Sequence, residues 1–274
     1  MNLQRVLIFA ALLASLQVGV VAMDASDEET LLAEASTYFD EAAQCAATDP
    51  KAAAGLYQKA ILRFERLIQE GEVHNGRLHY NLGNTYYLTG DLGRAILNYR
   101  RAARYMPNTA NIQQNLGEAR KQCLDKIEEP QRKRFFKTLF FWHYDLPGRL
   151  RLALFTVTFT LLWVGLGLRL FGRRTALSWG IGACTVVAMC MGGSVLLDSH
   201  QHRNDASGVI TAPEVTARKG NGESYAPSFK KPLHAGTEFL LLELRSGWRH
   251  IELFDGRRTW IPADSAEQVH QADL

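Results

Sequence analysis

The chain changes its hydrophobic rhythm four times. An apolar run fills MNLQRVLIFAALLASLQVGVVA at the start. From about residue 28 to 127, apolar residues return at helical spacing among charged and amide side chains. Two long uncharged stretches follow, LALFTVTFTLLWVGLGL (Leu152 to Leu168) and the 22 residues from Ala176 to Leu197. From Gly208 the period drops to two: Ile251 and Leu253 alternate with His250 and Glu252, and Ser246-Gly247 and Asp255-Gly256 are hairpin dipeptides. These rhythms predict a helical amino-terminal part, a pair of membrane helices and a small all-β carboxy-terminal part.

The first apolar run has one Arg ahead of it and ends Val20-Val21-Ala22, the form of a signal peptide over 1–22. An uncleaved anchor is the other reading, and both send residue 23 onward outside the cytoplasm. The 17 residues of the second run span about 25 Å as a helix, short of a bilayer core, with Arg151 and Arg169 able to snorkel from its ends. The third needs no help. Transmembrane helices at 152–171 and 175–197, joined by FGRR, make a hairpin.

Charge refines this picture. Lys and Arg against Asp and Glu number 12 and 16 over 23–130, six and one over 131–151, and nine and eleven over 198–274. Two mildly acidic soluble parts therefore flank a basic and apolar centre, which excludes a nucleic-acid binder. Positive-inside reasoning places the Arg-rich connector in the cytoplasm, in agreement with the signal peptide, although the basic block RKRFFK would prefer that side too. Phe135, Phe136, Phe140, Phe141 and Trp142 mixed with Lys137 fit a juxtamembrane segment (131–151) in the headgroup layer, where anionic lipid is the partner. Both soluble parts then face the periplasm.

Within the helical part, Leu82, Gly83, Tyr86, Gly90, Ala95, Tyr99, Ala102 and Pro107 match the tetratricopeptide (TPR) pattern at all signature positions but the first, where His79 replaces Trp. NLG recurs 34 residues on, at 115–117. Small residues let paired helices approach, so Gly83 should face Ala95, with Tyr86 and Tyr99 filling the flanks. The expected solenoid (23–130) holds a degenerate repeat at about 28–71, a strong repeat at about 76–109 and a capping helix at about 109–127. The degenerate repeat is carried by Gly55, Ala60 and Phe64. Groove positions fall at Arg77, Tyr80, Asn81, Asn84, Tyr87 and Asn115, where an amide can bond a peptide backbone in both directions. Asn at NLG as a plain helix-surface residue, with Tyr87 packed internally, is the competing reading.

After a linker at 198–207, the segment 208–274 reads as four strands, VITAPEVTARKG, TEFLLLELRSG, WRHIELFDG and RRTWIPADS. The arrangement V-T-A-R-x-G, L-H-x-G-T, G-W-x-x-I-x-L-x-D-G-R and W-I-P resembles the bacterial SH3-like family, a small half-open barrel. Trp248 and Trp260 either pack its core or line a ligand groove with Tyr225 and Phe254. The fold class is thus a multidomain membrane protein: all-α TPR solenoid, two-helix transmembrane hairpin and small all-β SH3-like barrel.

No catalytic motif is present: G-x-S-x-G, a P-loop and H-E-x-x-H are all missing. No Cys/His spacing suggests zinc, and Asp198, His200 and His202 lie on a solvated linker, so neither metal nor cofactor is expected. Cys45 and Cys123 pair only if they meet in space. The order of parts, with YNLGNTYYLTGDLGRAILNYRRA, the NLGEAR continuation and LHAGTEFLLLE…GW…IELFDGR…W, resembles the BatE-type proteins of aerotolerance (Bat) operons. That resemblance implies a non-enzymatic scaffold in the bacterial inner membrane. Its implied partners are von Willebrand factor A-type membrane proteins, a BatD-like protein and a MoxR-type ATPase. A cell-wall tether or sensor, holding peptidoglycan through the SH3-like domain, is the rival reading.

Overall fold

The computed structural model describes residues 25–70, 75–107, 109–127, 140, 142, 146–172, 175–203 and 206–270. The expected signal peptide, the RKRFFK block and connector residues Arg173 and Arg174 lie outside them. The chain divides into two compact units, 1–78 and 79–274.

The first unit is a helical hairpin, α1 (Ala25–Cys45) and α2 (Pro50–Gln69). Pro50 at the first turn and the Asp49 carboxylate, which accepts from the Lys51 and Ala52 amides at 3.1 and 3.0 Å, start α2 where an N-terminus leaves donors orphaned. Ala53, Tyr57, Ala60, Ile61, Phe64 and Leu67 recur on one face and are buried. Tyr57 meets Phe39 edge to face, and Arg63 pairs with Glu34 at 2.9 Å. Gly55 sits inside α2 with open space beside it, so it does not do what Gly90 does; the turn falls earlier, at Thr48 and Asp49.

The second unit begins within α3 (Gly76–Leu88) and continues through α4 (Leu92–Tyr105) and α5 (Ala110–Gln122). Gly90 takes φ +82° between α3 and α4, a left-handed turn that glycine enters without steric cost. Asp91 then caps α4 through the Arg94 amide at 3.0 Å. A Cβ on Gly83 would lie 2.8 Å from the Tyr99 ring and 3.4 Å from the Ala95 carbonyl, so this glycine lets the two helices meet. Leu82, Tyr86, Ala95, Tyr99 and Ala102 are buried around it, and Pro107 follows the end of α4.

Helices α6 (Gly148–Phe171) and α7 (Thr175–Arg203) contain 23-residue segments, Gly148–Leu170 and Thr175–Leu197, long and apolar enough to cross a membrane. They pack where glycine admits a neighbour: Gly165 against Ile181 and Gly192 against Phe155. Arg151, expected to snorkel, is buried instead, with its guanidinium donating to the Ser194 hydroxyl at 2.6 Å. α6 starts four residues before the uncharged run, which carries Arg151 into the helix pair.

The remaining residues form β1 (Ser207–Ile210), β2 (Glu214–Val215), β3 (Leu233–His234), β4 (Glu238–Arg245), β5 (Trp248–Leu253), β6 (Arg258–Pro262) and β7 (Ala266–Gln268). One five-stranded antiparallel sheet has the order β6-β5-β4-β1-β7, and β2 pairs with β3. Ser246 and Gly247 take φ 48° and 78°, the turn their dipeptide suggests. The inner face buries Ile210, Phe239, Ile251, Leu253 and Ile261. The sheet does not close into a barrel: β6 and β7 are its opposite edges. The two-residue strands and β7 are too short to leave a period in the sequence.

Candidate functional site

The face shared by α3 and α5 holds the predicted groove residues of the second unit. Tyr80, Asn81, Asn84, Tyr87 and Asn115 are all half-buried. The structure joins three of them directly: Asn115 Nδ2 donates to Tyr80 Oη at 3.1 Å and to Asn84 Oδ1 at 3.0 Å. Tyr99 Oη donates to the same Asn84 oxygen at 2.9 Å, and burial pushes the Tyr99 phenol upward, so it stays a neutral donor. Tyr87 Oη accepts from Gln122 Nε2. The cluster is neutral and prearranged. Among the described residues, the side-chain amide of Asn81 and the Nδ2 group of Asn84 have no hydrogen-bond partner. Two half-buried amides thus keep hydrogen-bonding capacity for a ligand. Arg77 is exposed and belongs to the first unit.

The opposite side of the same repeat is occupied by the β-sheet. A Cβ on Gly93 of α4 would stand 2.8 Å from the Ile210 carbonyl, and one on Gly236 would stand 2.5 Å from Cys123 Sγ. These two glycines let helix and sheet backbones come together. Around them, Glu238 of β4 is buried and held by both Arg100 (2.7 Å) and Arg120, which bonds it in bidentate fashion at 2.6 and 2.8 Å. Arg100 also reaches the Ser207 hydroxyl at 2.8 Å. Arg101 bonds the Gln268 carbonyl at 2.9 Å and pairs with Glu267 at 3.2 Å. After α5, Asp125 accepts from the His234 amide (2.6 Å) and the Thr237 hydroxyl (2.7 Å), with His234 Nδ1 at 3.0 Å.

The electrostatics follow from burial and partners together. Burial alone would raise the Glu238 carboxyl, but Arg120 and Arg100 outweigh it and hold the group below the ordinary glutamate range. Burial opposes ionisation of Asp125 too, and the Thr237 and His234 donors override it. Cys123 goes the other way: burial, with Glu238 and Asp125 nearby, pushes its thiol up to about 11, leaving it protonated and unreactive. Sequence reasoning missed this seam. Its partners lie more than a hundred residues apart, and the local signals were an arginine doublet at 100–101 and an acid opening a buried strand.

Trp248 and Trp260 are half-buried, outside the fully buried inner-face set, and Trp260 stacks on His250 at 4.6 Å. Tyr225 is exposed and Phe254 borders a cleft beside Glu238. Among the described residues no group of three His, Cys, Asp or Glu side chains could hold a metal ion, and the side chains of Asp198, His200 and His202 lie outside the description. All four cysteines are free.

The TPR repeat family model matches residues 83–122, the segment carrying α4, α5 and the end of α3 from Gly83. No curated protein matches the chain. Such repeats are interaction modules, and the match supports a protein–protein interaction scaffold.

Proposed function

We propose that this chain is a membrane-anchored TPR scaffold whose α3–α5 face takes an extended segment of a partner protein, and that it is a BatE-type component of a Bat envelope complex. The observation that carries the reading is the spare amide capacity, among the described residues, of the whole Asn81 side-chain amide and the Nδ2 group of Asn84, framed by Tyr80, Tyr87 and Asn115. Asn81 keeps both a donor and an acceptor and Asn84 keeps a donor, which match a peptide backbone that offers both functions at every residue. The seam supports the anchoring: helices before the α6–α7 pair bind a sheet after it, so both must lie on one side of a bilayer, as two crossings require. The signal peptide and the arginines of the connector make that side the periplasm of a bacterial inner membrane. The partners are von Willebrand factor A-type membrane proteins with their MoxR-type ATPase, and the sheet is an SH3-like module used as a brace.

The second reading, a peptidoglycan tether, is favoured by one observation, the half-buried His250–Trp260 stack on the sheet. Both are tested by crosslinking in intact cells, comparing wild type with Asn81→Ala. Asn84 is left in place because its carbonyl holds Tyr99 and Asn115. Docking predicts that a von Willebrand factor A-type membrane protein is captured and that the variant loses it at unchanged melting temperature. Equal capture by both chains, or capture of sacculus fragments alone, overturns it.

A further inference from the structure

β1 leaves the α6–α7 pair after three residues, 204–206, that follow the end of α7 at Arg203. Ser207 pairs with Leu240, and the Leu241 amide donates to the Ala206 carbonyl at 2.7 Å. The pairing is antiparallel. While β1 runs away from α7, β4 runs back past the start of β1, carrying residues 241–245 and the Ser246-Gly247 turn beyond it. Five strand residues extend roughly 17 Å. From Leu197, the last residue of the apolar span, six helical residues and the linker reach Ser207 over at most roughly 23 Å. The linker is short enough for the hairpin tip to reach the headgroup layer, roughly 5–7 Å deep on each side of the hydrocarbon core.

Three leucines of this segment are increasingly bare, Leu240 at 38% exposed, Leu242 at 44% and Leu244 at 63%, with a bulge between Leu241 and Glu243. Beyond Leu241, β4 pairs only with β5 among the described residues, so its other edge is open. An open edge beside exposed leucines is an association hazard in water and is removed by an apolar cover. Two carboxylates lie alongside, Glu243, paired with Arg245 at 2.8 Å, and Glu252, opposite Leu240 and paired with Arg258 at 2.8 Å. Both carboxylates are thus neutralised by arginines, so neither leaves an unpaired negative charge beside the leucines.

We infer that the β4–β5 tip, led by Leu242 and Leu244, is a membrane-contact surface, and that the bilayer around α7 is its occupant. It rests on the reading of α6 and α7 as membrane-spanning, and the test separates the two.

The wild-type chain is placed in nanodiscs of phosphatidylethanolamine and phosphatidylglycerol, one copy per disc, which excludes a second copy as the cover. Hydroxyl-radical modification is read residue by residue. The exposed references are Leu124 (75% exposed) and Leu88 (51%), and the membrane references are Leu161 (53%) and Leu196 (72%). Insertion at the interface predicts that Leu242 and Leu244 are modified about fivefold less than Leu124. Modification of Leu242 and Leu244 at the Leu124 level, with Leu161 and Leu196 protected, overturns the contact and leaves the membrane reading standing. Modification of Leu161 and Leu196 as well overturns both.

Discussion

The two faces of the strong repeat are built from different chemistry. Toward α3 and α5 it shows neutral amides and phenols, half-buried, with spare hydrogen-bonding groups at Asn81 and Asn84. Toward the sheet it shows arginines, each committed to an acid or carbonyl across the seam. The contrast teaches how a short solenoid can stay stable while keeping a face free. Repeats bury apolar surface on their neighbours, and few repeats leave outer helices bare. Here the sheet covers α4: Ile96 and Leu97 are fully buried, and Gly93 touches the Ile210 backbone. The α4 side is consumed internally; the α3–α5 side keeps spare amide groups at Asn81 and Asn84.

Substitutions on the two sides should therefore separate stability from binding. The largest effect is expected at Glu238. Glu238→Ala leaves two guanidiniums facing a buried gap, at a cost of about 3 kcal/mol, the low end for a broken buried pair because Arg120 keeps 43% of its side chain in solvent. Hydrogen exchange of the detergent-solubilised chain would show it as lost protection in β1 and α4. Gly93→Ala should follow, at about 2 kcal/mol, because the new methyl group meets backbone that cannot rotate away. Gly83→Ala is the matching probe between α3 and α4, where the Tyr99 ring must shift; it should cost about 1–2 kcal/mol and leave β1 exchange unchanged.

Acidification acts on the seam through two carboxyls. The Glu238 and Asp125 carboxyls sit below their ordinary values of 4.5 and 3.8 when folded. A depressed folded value means that the undocked state binds more protons as pH falls. Their contribution is complete at neutral pH, shrinks as pH drops below those ordinary values and is gone below the folded ones. Exchange in β1 should rise on that acid limb, and Glu238→Gln should remove part of the dependence. The smallest effect on stability belongs to Asn81→Ala, within about 0.5 kcal/mol, as for a side chain with no internal bond. Partner affinity should nonetheless fall about tenfold for a lost pair of amide hydrogen bonds.

The same contrast explains what the sequence could say. Gly83, Ala95 and Tyr99 are legible because their contact lies within one helical hairpin, so spacing encodes it. The apolar helices are legible by length and missing charge, and β4 to β6 by alternation and turn dipeptides. The groove amides were placed by their position on α3 and α5, but that Asn84 braces Tyr99 while Asn81 stands free depends on packing. The seam left no period at all: Arg100 and Glu238 are separated by 138 residues and two apolar helices. In the first unit the connector at Thr48 and Asp49 is legible from the Pro50 that follows it, whereas Gly55 shares a spacing with Gly90 but sits inside α2.

The most direct test of the division of labour is a photo-crosslinking residue placed in intact cells at Asn81 on α3 and, separately, at Arg94 on α4. Arg94 borders a cleft with Thr211, Ala212 and Asp264 of this same chain. If the α3 face serves a partner and the α4 face is spent on the sheet, the probe at 81 captures a von Willebrand factor A-type membrane protein and the probe at 94 captures only its own chain. A partner captured at 94 and none at 81 would contradict the account.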